Sequence, residues 1–577
     1  MLANKLNYKY AAIGLMQGLV FIALKFFKPT SLLLQSLEFG VYYASIFISL
    51  GLLLILQAKP TATQIKQIVV IGLILGAVSL WLFMQQTAAT GAPRYNDSTL
   101  FSWGFIAILF AYILLPFVQA QSLFKWRSYN YHDLYQHSWD NFFVVSLAGF
   151  FLLIYWLLLL LCVALFKMIG IRVVDDILLS PFFLQATMPV MFAVGVGIGL
   201  EHKNIIATLR FIALSICRYL LPLSALISVV FAGALLFTGL ELLWETGVST
   251  HTLLWLIVVN LIFINGVFQD GANPIKYSAV IKVLINIAII TLTAFALIAV
   301  YSVYLRIAQY GLTPRRIYVM VISLVGVVYT VTYAWAAIKS FKTRLNNNWL
   351  EEIKRPNVYI AYIVAGLIIV LHIPTLDPLS LSARSQYNRA LALTTDPNTF
   401  DFGMLFYRLG NPGREYLNKI EQKITELPVQ RQEEIKKQLA ILKESDSYYK
   451  WQRHLRATAD GKIARNIISI DENKTLPPGL LSAEGLNNCR FKTCEVLLVD
   501  LTQDGKDEAI VFTAGEKFGY ARVFIFQLTN KWKHIGNIKR GGKDLSKLIR
   551  EGKYNVIRPR FNSLAVEGVE LPVEIKR

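Results

Sequence analysis

The side chains best placed for chemistry gather in LRIAQYGLTPRRIYV, a polar stretch between two apolar runs. Gly311 breaks one helix there, Thr313 is placed to cap the next, Pro314 suits its first turn, and Arg306, Arg315 and Arg316 stand close by. A helix start with guanidinium groups beside it suits an anion, so Arg306, Thr313, Arg315 and Arg316 form a candidate site for a lipid phosphate. Pairing of these arginines with Glu241 and Glu245 in GLELLWETG is the structural alternative.

A second polar set interrupts apolar runs. Asn260 and Asn265 lie in VVNLIFINGVFQDG, and Lys282 and Asn286 open the run that follows. Polar groups in hydrocarbon are costly unless they find partners. These residues therefore either hydrogen-bond between helices, at about 1 kcal/mol each, or line a substrate pathway. In QSLFKWRSYNYHDLYQHSWDN, His132, Asp133 and His137 read as a metal or proton site on one helix face, or as part of an aromatic segment lying at headgroup level.

Two features stand near the C-terminus. In VDLTQDGKDEAIVF, Asp500, Thr502, Asp504 and Glu508 take the first, third, fifth and ninth positions, with Gly505 at the sixth, as in calcium-binding turns. Thr502 replaces an acid or Asn and no glutamate stands at the twelfth position, so the competing reading is a turn whose acids cap backbone groups. Calcium is the one cofactor the chain suggests. Cys489 and Cys494 lie close together in NNCRFKTCEV. No second Cys or His pair completes a zinc site, and in an oxidising compartment they read as a small disulfide loop. Cys162 and Cys217 lie in or beside apolar runs and read as packing residues.

The elements that must position these residues follow from composition. The 577 residues are 55% hydrophobic and only 16% charged, outside the range of soluble globular proteins. A bilayer core about 30 Å thick asks for about 20 apolar residues per helix. Eleven runs come close: 10–27, 39–57, 65–84, 100–118, 141–166, 186–200, 219–237, 252–268, 281–303, 317–338 and 358–373. Lys5 and Lys9 precede the first run, but no small-residue cleavage site follows it, so it reads as an uncleaved first helix. The stretch IRVVDDILLSPFF reads as a short amphipathic helix on the membrane surface, ended by Pro181, with Asp175 and Asp176 facing water.

With the N-terminus inside, sixteen Lys and Arg fall in inner loops and eight in outer ones. That bias predicts a cytoplasmic N-terminus and, after eleven crossings, a periplasmic C-terminal part. The expected fold is an α-helical polytopic membrane bundle of about eleven spans followed by a soluble α+β C-terminal domain. Its divisions are 1–375 in the membrane, a helical segment at 376–465 and a β-rich domain at 466–577. CEVLLVDL, DEAIVFTAG, ARVFIFQL, WKHIGNI, YNVIRPRF and LAVEGVELPVEI read as its strands. Of the net charge of +20, +8 falls on 376–577, where 33 Lys and Arg stand against 25 Asp and Glu. The basic residues are spread out, which favours membrane lipids and argues against nucleic acid as a partner.

Several stretches together resemble a bacterial membrane family known as domain of unknown function 4153. They are the WDN run at 139–171, LLWETGVST, FINGVFQDG, LRIAQYGLTPRRIYV and LSARSQYNRAL. The resemblance covers roughly 100–420. It implies a multi-span inner-membrane protein with a C-terminal extension, and no activity. The chain itself shows no catalytic constellation. An envelope anchor or interaction protein with envelope partners is therefore the leading expectation. A carrier or lipid-handling protein and a membrane glycosyltransferase-like enzyme are the alternatives. The enzyme reading calls for acids in a long first outer loop, where this chain offers Glu38 alone.

Overall fold

A computed structural model describes residues 2–27, 31–85, 97–125, 129–239, 249–272, 277–342, 350–374, 376–395, 397, 400–445, 447–455, 467–471, 474–477, 479–480, 483, 486, 489, 493–514, 520–526, 532–539, 545–551, 553–556, 564–566 and 569–571. The chain forms two compact units. One comprises Met1–Ala392 with Met404–Lys423, the other Leu393–Gly403 with Ile424–Arg577.

The first unit is helical: α1 Leu2–Phe26, α2 Leu32–Ile55, α3 Ala62–Met84, α4 Asp97–Gln119, α5 Tyr131–Met168, α6 Val173–Leu178, α7 Pro181–Glu201, α8 Lys203–Thr238, α9 Ser249–Phe268, α10 Ala279–Tyr310, α11 Pro314–Lys342, α12 Lys354–Val370, α13 Pro378–Leu391 and α14 Gly410–Lys423. Eleven helices among the described residues are long and apolar enough to cross a bilayer, as the sequence predicts. This is a multi-pass membrane protein.

Several of them overrun their expected bounds, α5 and α8 by the most. α5 has 38 residues and α8 has 36, which at 1.5 Å per residue far exceeds a hydrocarbon core of about 30 Å. Charged residues at a helix end mark where lipid stops, not where the helix does. Pro181 also differs from expectation: it occupies the first turn of α7, behind an N-cap in which Ser180 accepts from Phe183 N at 3.2 Å. Proline suits that position because the N–H it lacks would have had no helical partner. The short helix α6 ends before it, at Leu178, with Asp176 exposed and Asp175 half-buried.

Small residues let the spans approach closely, since apolar side chains gain little from leaving lipid for protein. Gly14 and Gly18 of α1 lie on α7, where a Cβ at Gly14 would come within 2.7 Å of Pro189 O and one at Gly18 within 2.9 Å of Gln185 O. Gly40 of α2 and Gly76 of α3 face each other in the same way.

The second unit holds a five-stranded sheet in sequential order: β1 Ile467–Ser469, β2 Cys494–Val499, β3 Glu508–Thr513, β4 Tyr520–Phe526 and β5 Trp532–Lys539. β1 pairs with β2 in parallel and the rest is an antiparallel meander. Both faces of its centre are buried, Val496, Ala509 and Phe524 on one and Leu497, Ile510 and Val523 on the other. β6 Leu564–Val566 and β7 Val569–Leu571 form a separate hairpin. YNVIRPRF is not a strand over 554–556, and its remaining residues lie outside the described ones. Helix α15, Val429–Glu444, and residues 448–455 supply the helical part, with α16 at Leu545–Arg550. Asp401 ties residues 448–455 down, accepting from Tyr448 Oη at 2.8 Å, Trp451 Nε1 at 2.8 Å and Gln452 Nε2 at 2.9 Å.

Candidate functional site

The turn between α10 and α11 is built as its residues suggest. Gly311 adopts φ of +70°, a conformation costly for any residue with a Cβ, and closes α10 by donating to Ile307 O. Thr313 Oγ1 accepts from Arg316 N at 3.3 Å, capping α11 ahead of Pro314. A helix C-terminus leaves carbonyls unpaired and carries partial negative charge. Arg316 answers both by donating to Tyr310 O at 3.2 Å and Gly311 O at 2.8 Å, with its guanidinium over the Tyr310 ring. Arg315 Nη2 lies 3.3 Å from His251 Nε2, and Arg306 is exposed. Glu241 and Glu245, the expected partners, lie outside the described residues.

Helix α13 completes this cap. Gln386 Nε2 donates to Tyr310 O at 3.0 Å and Leu312 O at 2.8 Å, Leu312 N donates to Ser385 Oγ at 2.9 Å, and Arg389 donates to Tyr310 O and Gln309 O. Asp377 caps α13 itself, accepting from Ser380 N at 3.1 Å, while burial pushes its carboxyl above the usual range.

The asparagines Asn260, Asn265 and Asn286 reach across to other helices. Asn260 is buried between α8 and α9, accepting from Ser224 Oγ at 2.7 Å and donating to Ser228 Oγ at 3.2 Å and Leu256 O at 2.8 Å. Asn286, fully buried, donates to Ser340 Oγ at 2.7 Å, joining α10 to α11. Lys282 sits half-buried one turn before it. Asn265 donates to Tyr333 Oη at 2.7 Å and accepts from Asn357 Nδ2 at 2.7 Å. Asn357 also accepts from Tyr333 Oη at 2.6 Å and donates to Tyr131 Oη at 2.8 Å. Tyr131, Tyr333 and Asn357 were not legible as site residues; the sequence signal is only that Asn357 immediately precedes the last apolar run.

His132 and His137 do not form a pair. Their five-residue spacing turns the side chains roughly 140° apart around α5. His132 Nδ1 instead meets Asp270 Oδ2 at 2.5 Å, across to the loop after α9. Burial pushes the Asp270 carboxyl up, but hydrogen bonds from His132 and Ala272 N and the imidazole charge outweigh it and hold it below its usual value. No group of three or more His, Cys, Asp or Glu placed to hold a metal occurs among the described residues. Nearby, Asp140 accepts from Arg210 Nη1 at 2.6 Å, and Asn141 exchanges hydrogen bonds with Gln119 at 2.7 and 3.1 Å.

Residues 44–420 match the family model described as "Domain of unknown function (DUF4153)". The chain belongs to the DUF4153 family. Of the segments quoted for the resemblance, WDN supplies Asp140 and Asn141, which pair with Arg210 and Gln119, and FINGVFQDG supplies Asn265 and Asp270, which pair with Asn357 and His132. QYGLTPRR and SARSQYNRAL supply Tyr310, Arg316, Gln386 and Arg389 at the turn after α10. No curated protein and no solved structure matches the chain.

The two C-terminal features lie beyond the DUF4153 match. In the 500–508 turn the acids face backbone donors. Asp500 accepts from Asp504 N at 3.2 Å and Gly505 N at 2.9 Å, and Asp504 from Lys506 N at 2.9 Å. Buried Glu508 accepts from Leu501 N at 2.6 Å, Thr502 N at 3.1 Å and Thr502 Oγ1 at 3.0 Å. Cys489 and Cys494 are joined as a disulfide, with Cα atoms 5.4 Å apart at the start of β2.

Proposed function

We propose that this DUF4153 protein is a multi-span anchor of the bacterial inner membrane that holds its C-terminal part in the periplasm, where it meets envelope partners. The observation that carries the reading is the fate of the intramembrane amides. Asn260, Asn265 and Asn286 spend their hydrogen bonds on Ser224, Ser228, Tyr333, Asn357 and Ser340, so the polar atoms that would line a carrier's path join helices instead. The charge bias of sixteen to eight supports the N-in orientation, and the Cys489–Cys494 pair suits an oxidising compartment. The test is a pair of reporters fused after Arg577, one active only in the periplasm and one only in the cytoplasm. Periplasmic activity is the expected result, and cytoplasmic activity overturns the orientation.

A further inference from the structure

At the end of the bundle where the odd-numbered spans begin, α8 and α9 part around a cavity of about 360 Å³. Its walls are of two kinds. Arg210, Ser215, Arg218 and Gln269 bring polar groups, and Phe211, Leu214, Val267 and Phe268 bring apolar surface. The helices touch beside it, where a Cβ on Gly266 would come within 2.9 Å of the Cys217 side chain.

Its depth follows from the sequence. From Tyr219 to Thr238, and again from Ser249 to Phe268, there is no Asp, Glu, Lys or Arg, so Arg218 and Gln269 stand at the edge of the hydrocarbon. Eight residues put Arg210 about 12 Å further out along α8 and roughly 80° around it, so both guanidiniums face the headgroup layer.

The charge is unbalanced. Arg210 is paired with Asp140, but no acid among the described residues pairs with the Arg218 side chain, and no acid lines the cavity. The Arg218 backbone carbonyl is held by Tyr277 Oη at 2.5 Å, which fixes this part of α8. Burial pushes that phenol up to about 12, so it keeps its proton. From Arg218 towards the hydrocarbon, Tyr219, Leu223 and Leu226 form an exposed apolar face suited to acyl chains.

We propose that this cavity binds the phosphate of an anionic phospholipid, with Arg218 gripping its oxygens and Ser215 and Gln269 donating to them. Arginine presents paired N–H donors that match phosphate geometry. The volume lies near the lower limit of small-ligand pockets, enough for a headgroup and too little for a whole lipid. The depth favours a lipid phosphate over a dissolved one.

The test uses the full chain purified in a neutral detergent, titrated with phosphatidylglycerol or phosphatidylcholine of identical acyl chains and read by native mass spectrometry. Phosphatidylglycerol should bind preferentially. Arg218→Gln should weaken it about fivefold, the effect of one charge at an anionic surface. Ser215→Leu, which fills the cavity without touching charge, should weaken it as well, whereas Arg355→Gln, an exposed arginine on α12, should not. Ser215→Leu carries the test if Arg218→Gln fails to fold. Equal phosphatidylglycerol binding by wild type and the cavity variants overturns the site. Loss of bound lipid to millimolar inorganic phosphate, with no preference between the lipids, keeps an anion site and overturns the lipid as its occupant.

Discussion

Asn357 Nδ2 lies 2.7 Å from Asn265 Oδ1, and this contact ties the last span to α9 across 92 residues of sequence. Tyr333 of α11 and Tyr131 of α5 join the same amide, so one side chain links four helices. Asn357→Leu should remove three hydrogen bonds and leave Asn265 and the two phenols short of partners. Intramembrane hydrogen bonds average about 0.6 kcal/mol each, so the loss should be about 2 kcal/mol. A thermal unfolding series in detergent should show N357L lowered, with Tyr333→Phe adding less on top of it than alone. Strictly additive effects would mean the network does not act as a unit.

What could be read from the chain depended on whether a residue's partner lies nearby in sequence. The eleven spans were legible because hydrocarbon demands a run of apolar residues, and Gly311 and Thr313 because turn and cap chemistry is local. Gln386 and Arg389 satisfy carbonyls more than seventy residues away, and nothing in an amide or guanidinium names its acceptor. His132 failed the same way, since its partner Asp270 is 138 residues distant while an attractive but wrongly phased histidine stood close by. The cavity between α8 and α9 was invisible because Arg218 looked like one more inner-loop charge.

The 500–508 turn makes a sharper claim about calcium. Glu508 already accepts three hydrogen bonds and Asp500 two, so a metal would have to strip backbone donors of their acceptors. Melting of the full chain should shift by no more than about a degree between millimolar calcium and chelator. Glu508→Gln, in contrast, should lower stability of the second unit by about 1–3 kcal/mol, because a neutral amide accepts from the Leu501 and Thr502 N–H groups less strongly. A calcium-dependent rise of many degrees would reverse the assignment.

The Cys489–Cys494 bond links topology to chemistry. Peptide mapping without reductant should find the two cysteines linked in protein from intact cells. By loop entropy so short a loop contributes about 2 kcal/mol. Cys489→Ser should lower stability of wild-type protein, and lower it little when the reductant is present throughout. Two thiols that alkylate freely in unreduced protein would argue against both the bond and the periplasmic placement.

His372 should give the protein a pH response whose sign follows from its burial. Its Nδ1 lies 2.6 Å from the Ile368 carbonyl, which can only accept, so that nitrogen carries the proton and Nε2 faces Tyr318 Oη at 3.0 Å. The ring is buried against Trp103, whose indole is pinned by Ser79 Oγ at 2.9 Å. Burial lowers the imidazole from its ordinary value of 6.5, with the Ile368 carbonyl pulling it partly back. The unfolded chain therefore takes up a proton at higher pH than the folded one. The stabilising effect is complete above about 6.5 and is lost as pH falls towards the folded value, at no more than about 1.4 kcal/mol per pH unit. Asp377, raised by burial, acts with the opposite sign and only nearer the carboxylate range. Between pH 7.5 and 5.5 the wild-type melting temperature should fall by more than that of His372→Phe, which is less stable at pH 7.5 for want of the two hydrogen bonds. Parallel pH profiles for the two proteins would assign the response to another histidine.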